Sequence, residues 1–175
     1  NKTLYTRIGA EFKYKKTKFT LRFEQQNDAT YFQETLYDAP RPRGNNDKLH
    51  SISAIQNGKP VQRFEASIYH WQTWGILNWE NELTYQTTSD KSLSPVPAFM
   101  AYSNLFLKFR IAKVLNTELG ADVRYYTRFT PQVYSPIIGQ YVLQDERNAE
   151  KIGGYPIVNA YANLHLKRTR FYIMA

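Results

Sequence analysis

Apolar and polar residues alternate strictly along several long stretches of this chain. In the segment LNTELGADVRYYTRF, residues 115–129, every second position is mostly apolar, from Leu115 through Leu119 and Val123 to Phe129, with Thr127 as the exception near one end. The positions between them are mostly charged or polar. Since successive side chains of a β-strand point to opposite faces, this period of two predicts a strand with one apolar and one polar face.

The same alternation predicts eight strands joined by connections of two alternating lengths. Four connections are short and read KKT, WQTWG, AKV and KRT, whereas three are long and span about residues 26–60, 88–97 and 130–154. Because strands joined by tight turns pair antiparallel, we expect the tight turns at one end of the sheet and the long loops at the other. The first long segment is turn-rich and predicts few strands, while YSPIIGQYVLQ in the third predicts an ordered lid or a strand extension.

Two architectures produce this pattern, and periodicity alone does not separate them. In a soluble barrel or sandwich the apolar face points inward, whereas in an outer-membrane barrel it points out to lipid. Three features favour the membrane: strands of twelve to fifteen residues, against the ~9–11 that cross a bilayer; loops that are long at one end only; and aromatic residues near strand ends. We therefore predict an all-β, antiparallel, up-and-down transmembrane β-barrel that forms one domain over residues 1–175.

Aromatic side chains near both ends of the predicted strands are candidates for the girdles that sit at membrane–water interfaces. The alternative for each of them is the ordinary preference of aromatic residues for strands. The girdle candidates are Tyr14, Trp71, Trp74, Trp79, Tyr85, Phe109, Phe129 and Tyr155.

Composition narrows the classes of function. The 175 residues include no cysteine, which excludes disulfides, thiolate metal sites and cysteine nucleophiles. The net charge of +8 would suit an anionic partner, yet no basic helix or nucleic-acid motif is visible, so no nucleic-acid partner is expected. The sequence contains no run of ~18 apolar residues, which is the length that a membrane-spanning helix needs.

The chain opens and closes on strand-like sequence, which predicts a fragment of a longer chain with a larger barrel.

Three stretches of sequence carry a family resemblance: WGILNWENELTYQ, AYSNLFLKFRIAKVLNTELGADVRYYTRFTPQVYSPIIGQY and EKIGGYPIVNAYANLHLKRTRFYIMA. Together they resemble the C-terminal part of the "putative porin" family of Bacteroidetes, over roughly Trp74–Ala175. The resemblance implies an outer-membrane β-barrel with a longer chain and a signal peptide. It supplies no catalytic residues to carry over.

Charged residues on the predicted polar face are the best functional candidates. Charged rings set selectivity when they line an open constriction, and the alternative is that these charges simply pair across strands. Glu118 and Asp122 could form an acid–base pair, but a wet wall of mixed charge is the favoured interpretation. The segment Arg41–Gly44 could bind anionic sugars or phosphates, although a solvated loop is favoured. The lumen-facing candidates are Arg7, Glu11, Arg22, Glu24, Glu80, Glu82, Lys108, Arg110, Glu118, Asp122, Arg124 and Arg128.

The function that follows from this interpretation is passive diffusion of small polar solutes through a water-filled lumen in a Gram-negative outer membrane. Expected partners are outer-membrane lipid, lipopolysaccharide and the solutes, with other outer-membrane proteins as further candidates. A non-conducting barrel that scaffolds a membrane complex through its long loops is the main alternative, followed by a soluble lipocalin-like barrel. No enzyme activity, cofactor or metal is expected, because no catalytic or ligand-spacing motif occurs.

Overall fold

Long strands build almost the whole chain, as the alternating sequence requires. The computed structural model describes residues 3–38, 48–147 and 149–175, and it describes the side chains of residues 3–36, 51–147 and 149–175. These described residues contain strands and no helix. The strands are β1 (Leu4–Tyr14), β2 (Thr17–Asn27), β3 (Thr30–Asp38), β4 (Lys48–Gln56), β5 (Val61–Trp74), β6 (Leu77–Thr88), β7 (Phe99–Ile111), β8 (Leu115–Tyr126), β9 (Val133–Ser135), β10 (Gln140–Val142), β11 (Ile157–Leu166) and β12 (Thr169–Met174).

Eight of these strands form a single antiparallel sheet in the order β1-β2-β5-β6-β7-β8-β11-β12. The tight turns join β1 to β2, β5 to β6, β7 to β8 and β11 to β12 at one end. At the other end lie three long loops, which we call L1 (residues 28–60, including β3 and β4), L2 (89–98) and L3 (127–156). The prediction of an all-β, antiparallel, eight-stranded arrangement is therefore confirmed.

The turn between β5 and β6 lies later in the sequence than predicted. Strand β5 continues through Trp74, so WQTWG is mostly strand and the turn consists of Gly75 and Ile76. Gly75 has φ of 59°, a left-handed conformation that glycine adopts without steric cost. Such a residue at the first position of a two-residue turn matches the right-handed twist of the flanking strands.

One prediction about the long loops, and the predicted end of one strand, are corrected by the structure. L1 is not strand-poor, because β3 and β4 pair as an antiparallel hairpin from Thr30 opposite Gln56 to Asp38 opposite Lys48. In L3, the segment YSPIIGQYVLQ forms a short hairpin of β9 and β10. Strand β8 ends at Tyr126, three residues before the predicted end at Phe129.

Burial in the sheet is inverted relative to a water-soluble protein. Among the described residues, the buried apolar side chains are Ala29, Val142 and Leu143, none of which lies in the eight-stranded sheet. On β8 the apolar Leu119 is 40% exposed, whereas Asp122 is only 7% exposed. A soluble sheet would bury the apolar face and expose the other. No helix in the described ranges is long and apolar enough to cross a membrane. The buried polar side chains on the polar face are Asn78, Thr84, Gln86, Asn104 and Asp122.

Candidate functional site: the polar face of the sheet

The strand register brings the charged candidates onto one face. Arg7 lies opposite Glu24, Lys108 lies opposite Glu118, and Asp122 continues the row that runs through Asn104 on the neighbouring strand. Paired residues of an antiparallel ladder point to the same side of the sheet. Arg128 lies two residues beyond β8, at the long-loop end of this face. Eleven of the candidates therefore share the face within strands: Arg7, Glu11, Arg22, Glu24, Glu80, Glu82, Lys108, Arg110, Glu118, Asp122 and Arg124.

A chain of charged and amide groups crosses the polar face from β2 to L2. The guanidinium of Arg22 lies 3.1 Å from Glu65, and the other carboxylate oxygen of Glu65 lies 3.2 Å from the guanidinium of Arg63. Arg63 also donates to Oε1 of Gln86 at 2.8 Å, and the amide of Gln86 donates to the carbonyl of Pro97 at 2.8 Å. Because each of these contacts positions the next side chain, the network connects L2 to the polar face of the sheet. Arg22 is one of the lumen-facing candidates from the sequence, whereas the links through Arg63, Gln86 and Pro97 depend on strand register and on the fold of L2.

Asp122 is held on this face by two neighbours. Its Oδ1 accepts a hydrogen bond from the Asn159 amide at 3.1 Å and lies 3.4 Å from Nε of Arg124. The Arg124 guanidinium also lies over the Tyr102 ring, 5.5 Å from its centre. Glu118 is four residues away along the same strand, a span of roughly 13 Å at the usual rise per residue. The geometry therefore places Asp122 in a hydrogen-bonded wall and away from direct contact with Glu118.

Gly120 makes room for an aromatic side chain that lies across the polar face. A Cβ on Gly120 would meet Cβ of Phe106 at 2.6 Å and the Tyr161 ring and hydroxyl at 2.8 Å. The Tyr161 hydroxyl donates to Oδ1 of the buried Asn104 at 3.2 Å, and its ring lies 6.3 Å from that of Tyr172. Sequence reasoning did not select these residues, because the contact requires the registers of three strands. The parity of Tyr161 within β11 was the available signal that it faces the polar side.

The aromatic girdle candidates divide between the two faces. Trp74 stacks on Trp79 across the β5–β6 turn at 6.2 Å, and both are well exposed on the apolar face. Trp71 differs, because it is paired with Glu80 and therefore lies on the polar face. The membrane-interface role of these residues stays a prediction. Those on the apolar side of a strand are Tyr14, Trp74, Trp79, Tyr85 and Phe109, while Phe129 and Tyr155 lie in L3.

A cavity of about 680 Å³ opens on the polar face near the tight turns. Its lining includes the candidates Lys108, Arg110 and Glu118, together with Asn163 and Arg170 from the last two strands. Arg170 donates to Asn163 at 2.7 Å. Groups of both charge signs thus surround a space large enough for water and a small solute.

The sequence pattern of one protein family, described as Putative porin, matches residues 1–175. The chain belongs to this porin family. The match covers the whole chain, beyond the stretch from Trp74 to Ala175 that carried the resemblance. No curated protein and no solved structure gives a significant match. Family membership accounts for long antiparallel strands with an apolar and a polar side, since a porin-type wall separates lipid from water.

The apolar face of this porin-family chain contains a row of polar residues that satisfy one another. Thr17 and His70 share a hydrogen bond of 2.8 Å. In the same row, Ser103 donates to Asn81 at 2.8 Å and accepts from the indole nitrogen of Trp79 at 3.0 Å. Polar groups that face lipid must find partners within the protein. Asn81, an irregularity in the apolar sequence pattern, is therefore accommodated without an unpaired side chain.

Loops L1 and L3 of the porin-family chain dock on each other. Leu143 exchanges two backbone hydrogen bonds with β3, at 2.8 and 2.9 Å. The Asp145 carboxylate accepts from the Leu36 amide at 2.9 Å, and Arg147 donates to the Leu36 carbonyl at 2.8 Å. Hydrogen bonds from the Arg147 side chain and from the Leu36 amide hold the pKa of Asp145 well below its usual range. We call this contact the loop clasp. The predicted anion segment Arg41–Gly44 lies outside the described residues.

Proposed function

We propose that this chain supplies strands to the wall of an outer-membrane β-barrel through which small polar solutes diffuse passively. The observation that carries the proposal is the inverted burial, with Leu119 exposed and Asp122 buried on neighbouring parts of β8. Outward apolar side chains would contact lipid and lipopolysaccharide in a Gram-negative outer membrane. The same inversion weighs against a soluble lipocalin-like barrel, which would expose its polar face to bulk water.

Passage along such a wall depends on groups that replace part of a solute's hydration. The polar face offers hydroxyls, amides and charges of both signs, and many of these are already paired, as in the contacts of Glu65 and Asp122. Paired charges hold water without trapping a solute of one sign, because their fields largely cancel at a distance. The wall therefore suits weakly selective diffusion, and no chemical step is proposed for it.

Orientation of the sheet can be tested by single cysteines, since residues 1–175 contain none. The variants Leu119→Cys and Arg124→Cys would be reconstituted into liposomes. A water-soluble, membrane-impermeant maleimide should label Arg124→Cys from the aqueous phase, because the Arg124 side chain is 63% exposed on the polar face, while nitroxide-labelled lipid should contact a fluorophore at Leu119→Cys. Labelling in the reverse pattern would contradict the proposal.

A non-conducting scaffold is the second candidate, and the loop clasp is the observation that favours it. L1 and L3 are joined at the long-loop end, and L2 is tied to the wall through Gln86. Loops arranged in this way could obstruct the lumen and present a fixed surface to other outer-membrane proteins. Planar-bilayer recordings of the reconstituted protein distinguish the two: discrete channel steps support diffusion, and their complete absence supports the scaffold.

A further inference from the structure

A cavity of about 570 Å³ lies at the long-loop end, between L2, L3 and the last residues of β6. Three basic side chains line it, Lys91 from L2 and Arg128 and Lys151 from L3, together with Tyr85 and Phe129. We propose that this cavity binds the oxyanion group of a small solute, such as a carboxylate, phosphate or sulfate. Its role in permeation rests on the proposed diffusion function, whereas binding itself does not.

Hydrogen bonds within L2 order the turn that carries Lys91. The adjacent Asp90 uses Oδ1 to accept hydrogen bonds from the amide of Ser92 at 3.0 Å, its hydroxyl at 2.6 Å, and the amide of Leu93 at 3.3 Å. These hydrogen bonds, led by that from the Ser92 side chain, lower the pKa of Asp90, which therefore remains charged and committed to its own loop. The Asp90 carboxylate, although next to Lys91 in sequence, is therefore hydrogen-bonded within its own turn and does not line the cavity.

A short antiparallel pairing in L3 brings the other two cations together. Phe129 and Ile152 exchange backbone hydrogen bonds of 3.0 and 2.9 Å. This pairing sets Arg128 and Lys151, which are distant in sequence, on adjoining segments that line the same cavity. Because Phe129 also packs edge-on against Tyr126 at 6.1 Å, the L3 segment is anchored to the end of β8.

The charge around this cavity is not balanced. No carboxylate belongs to its lining, and within the described part of the chain Lys91, Arg128 and Lys151 have no carboxylate partner within 4 Å. A neighbouring cavity of about 360 Å³ shares both lysines and adds Glu146. On the polar face, by contrast, Arg22, Arg63 and Arg124 each lie beside a carboxylate. Three cations that have no ion-pair partner around a concave space of ligand size favour an anion, and Arg and Lys donors give oxyanions their strongest hydrogen bonds.

Binding can be measured without any channel activity. The probe is inorganic pyrophosphate, titrated by calorimetry into the detergent-purified protein at low ionic strength. The double variant Lys91→Gln/Lys151→Gln should bind at least about tenfold more weakly, because each lysine contributes a charge-assisted hydrogen bond. The matched control is Lys59→Gln, which is compared with the single variant Lys91→Gln. Each of these removes one positive charge at the same end, but Lys59, in L1, does not line the cavity. Far-ultraviolet circular dichroism checks that all variants are folded.

Equal affinity for pyrophosphate in the wild type, the double variant and the control would overturn the site. So would an equal loss in Lys91→Gln and Lys59→Gln, because that would reveal a diffuse charge effect. Bilayer recordings keep this result separate from the diffusion proposal. If the protein binds pyrophosphate through these lysines but never conducts, the diffusion proposal fails and the oxyanion site stands. If it conducts and the lysine variants bind pyrophosphate as tightly as the wild type, the oxyanion site fails and the diffusion proposal stands.

Discussion

Replacing Gly120 by alanine inserts a methyl group where Tyr161 now crosses the polar face. The new Cβ would lie 2.6 Å from Cβ of Phe106 and 2.8 Å from the Tyr161 ring, whereas ordinary contacts begin at 3.4 Å. Phe106 presents its Cβ, which is fixed by the backbone of β7 and cannot rotate away. Relief therefore requires β7 and β8 to separate slightly and Tyr161 to leave its position, which breaks its hydrogen bond to Asn104.

The magnitude follows from these contacts. Overpacking in a closely packed region costs about 1–3 kcal/mol. Loss of the Tyr161 hydrogen bond adds about 1 kcal/mol, since Asn104 is only 8% exposed and would lose its partner. The reduced backbone freedom of alanine recovers roughly 0.5–1 kcal/mol. We expect Gly120→Ala to lower the free energy of unfolding by about 1–3.5 kcal/mol.

The assay is reversible urea unfolding of the protein in lipid vesicles, followed by tryptophan fluorescence. Gly9→Ala is the matched control, because Gly9 also lies on the polar face within a strand and its Cβ would meet nothing closer than 3.4 Å. Without a clash, this control should show only the backbone gain of roughly 0.5–1 kcal/mol in stability. A second variant, Tyr161→Ala, should reduce the cost of Gly120→Ala when the two are combined. The reasoning is refuted if Gly120→Ala and Gly9→Ala unfold at the same urea concentration.

Two further predictions concern the loop clasp and the apolar face. Asp145→Asn should speed amide hydrogen exchange at Leu36 at neutral pH. In the wild type, because the folded pKa of Asp145 is lowered, the clasp should be fully stable above about pH 4, the unfolded value. It should weaken only as pH falls further; exchange that is unaffected by the substitution would contradict this role. Ser103→Ala leaves Asn81 and the Trp79 indole without their shared partner on the apolar face, so it should cost about 1–2 kcal/mol in vesicle unfolding, whereas no loss would show that these groups find other partners.

Side-chain alternation was enough to predict the sheet and its two faces. The period of two in β8 placed Leu119 and Asp122 on opposite sides, and the strand register then brought Arg7 beside Glu24, with 3.1 Å between them. Within the eight-stranded sheet, residue type competed with parity at Trp71. Trp71 was selected as a girdle residue because it is aromatic, yet it has the same parity in β5 as Tyr69, which lies on the polar face.

Contacts between distant segments could not be predicted in this way. The strands β3 and β4 were overlooked because the prolines and glycines around them signal turns more strongly than their weak alternation signals strands. Strand β3 is stabilised partly by backbone hydrogen bonds to Leu143, which is distant in sequence and has no feature that predicts this contact. The basic cavity could not be predicted for the same reason, since Lys91 and Lys151 line one space only because L2 and L3 lie next to each other in the folded chain.

The loop clasp also has a consequence for the order in which the protein assembles. Leu36 and Asp145 are separated by 109 positions, and the intervening chain contains strands β5 to β8 of the sheet. Closing so long a span early would be entropically costly, so the contact becomes favourable once those strands have already brought their ends together. The clasp is therefore expected to form last, and its hydrogen bonds mark a molecule whose central hairpins are complete.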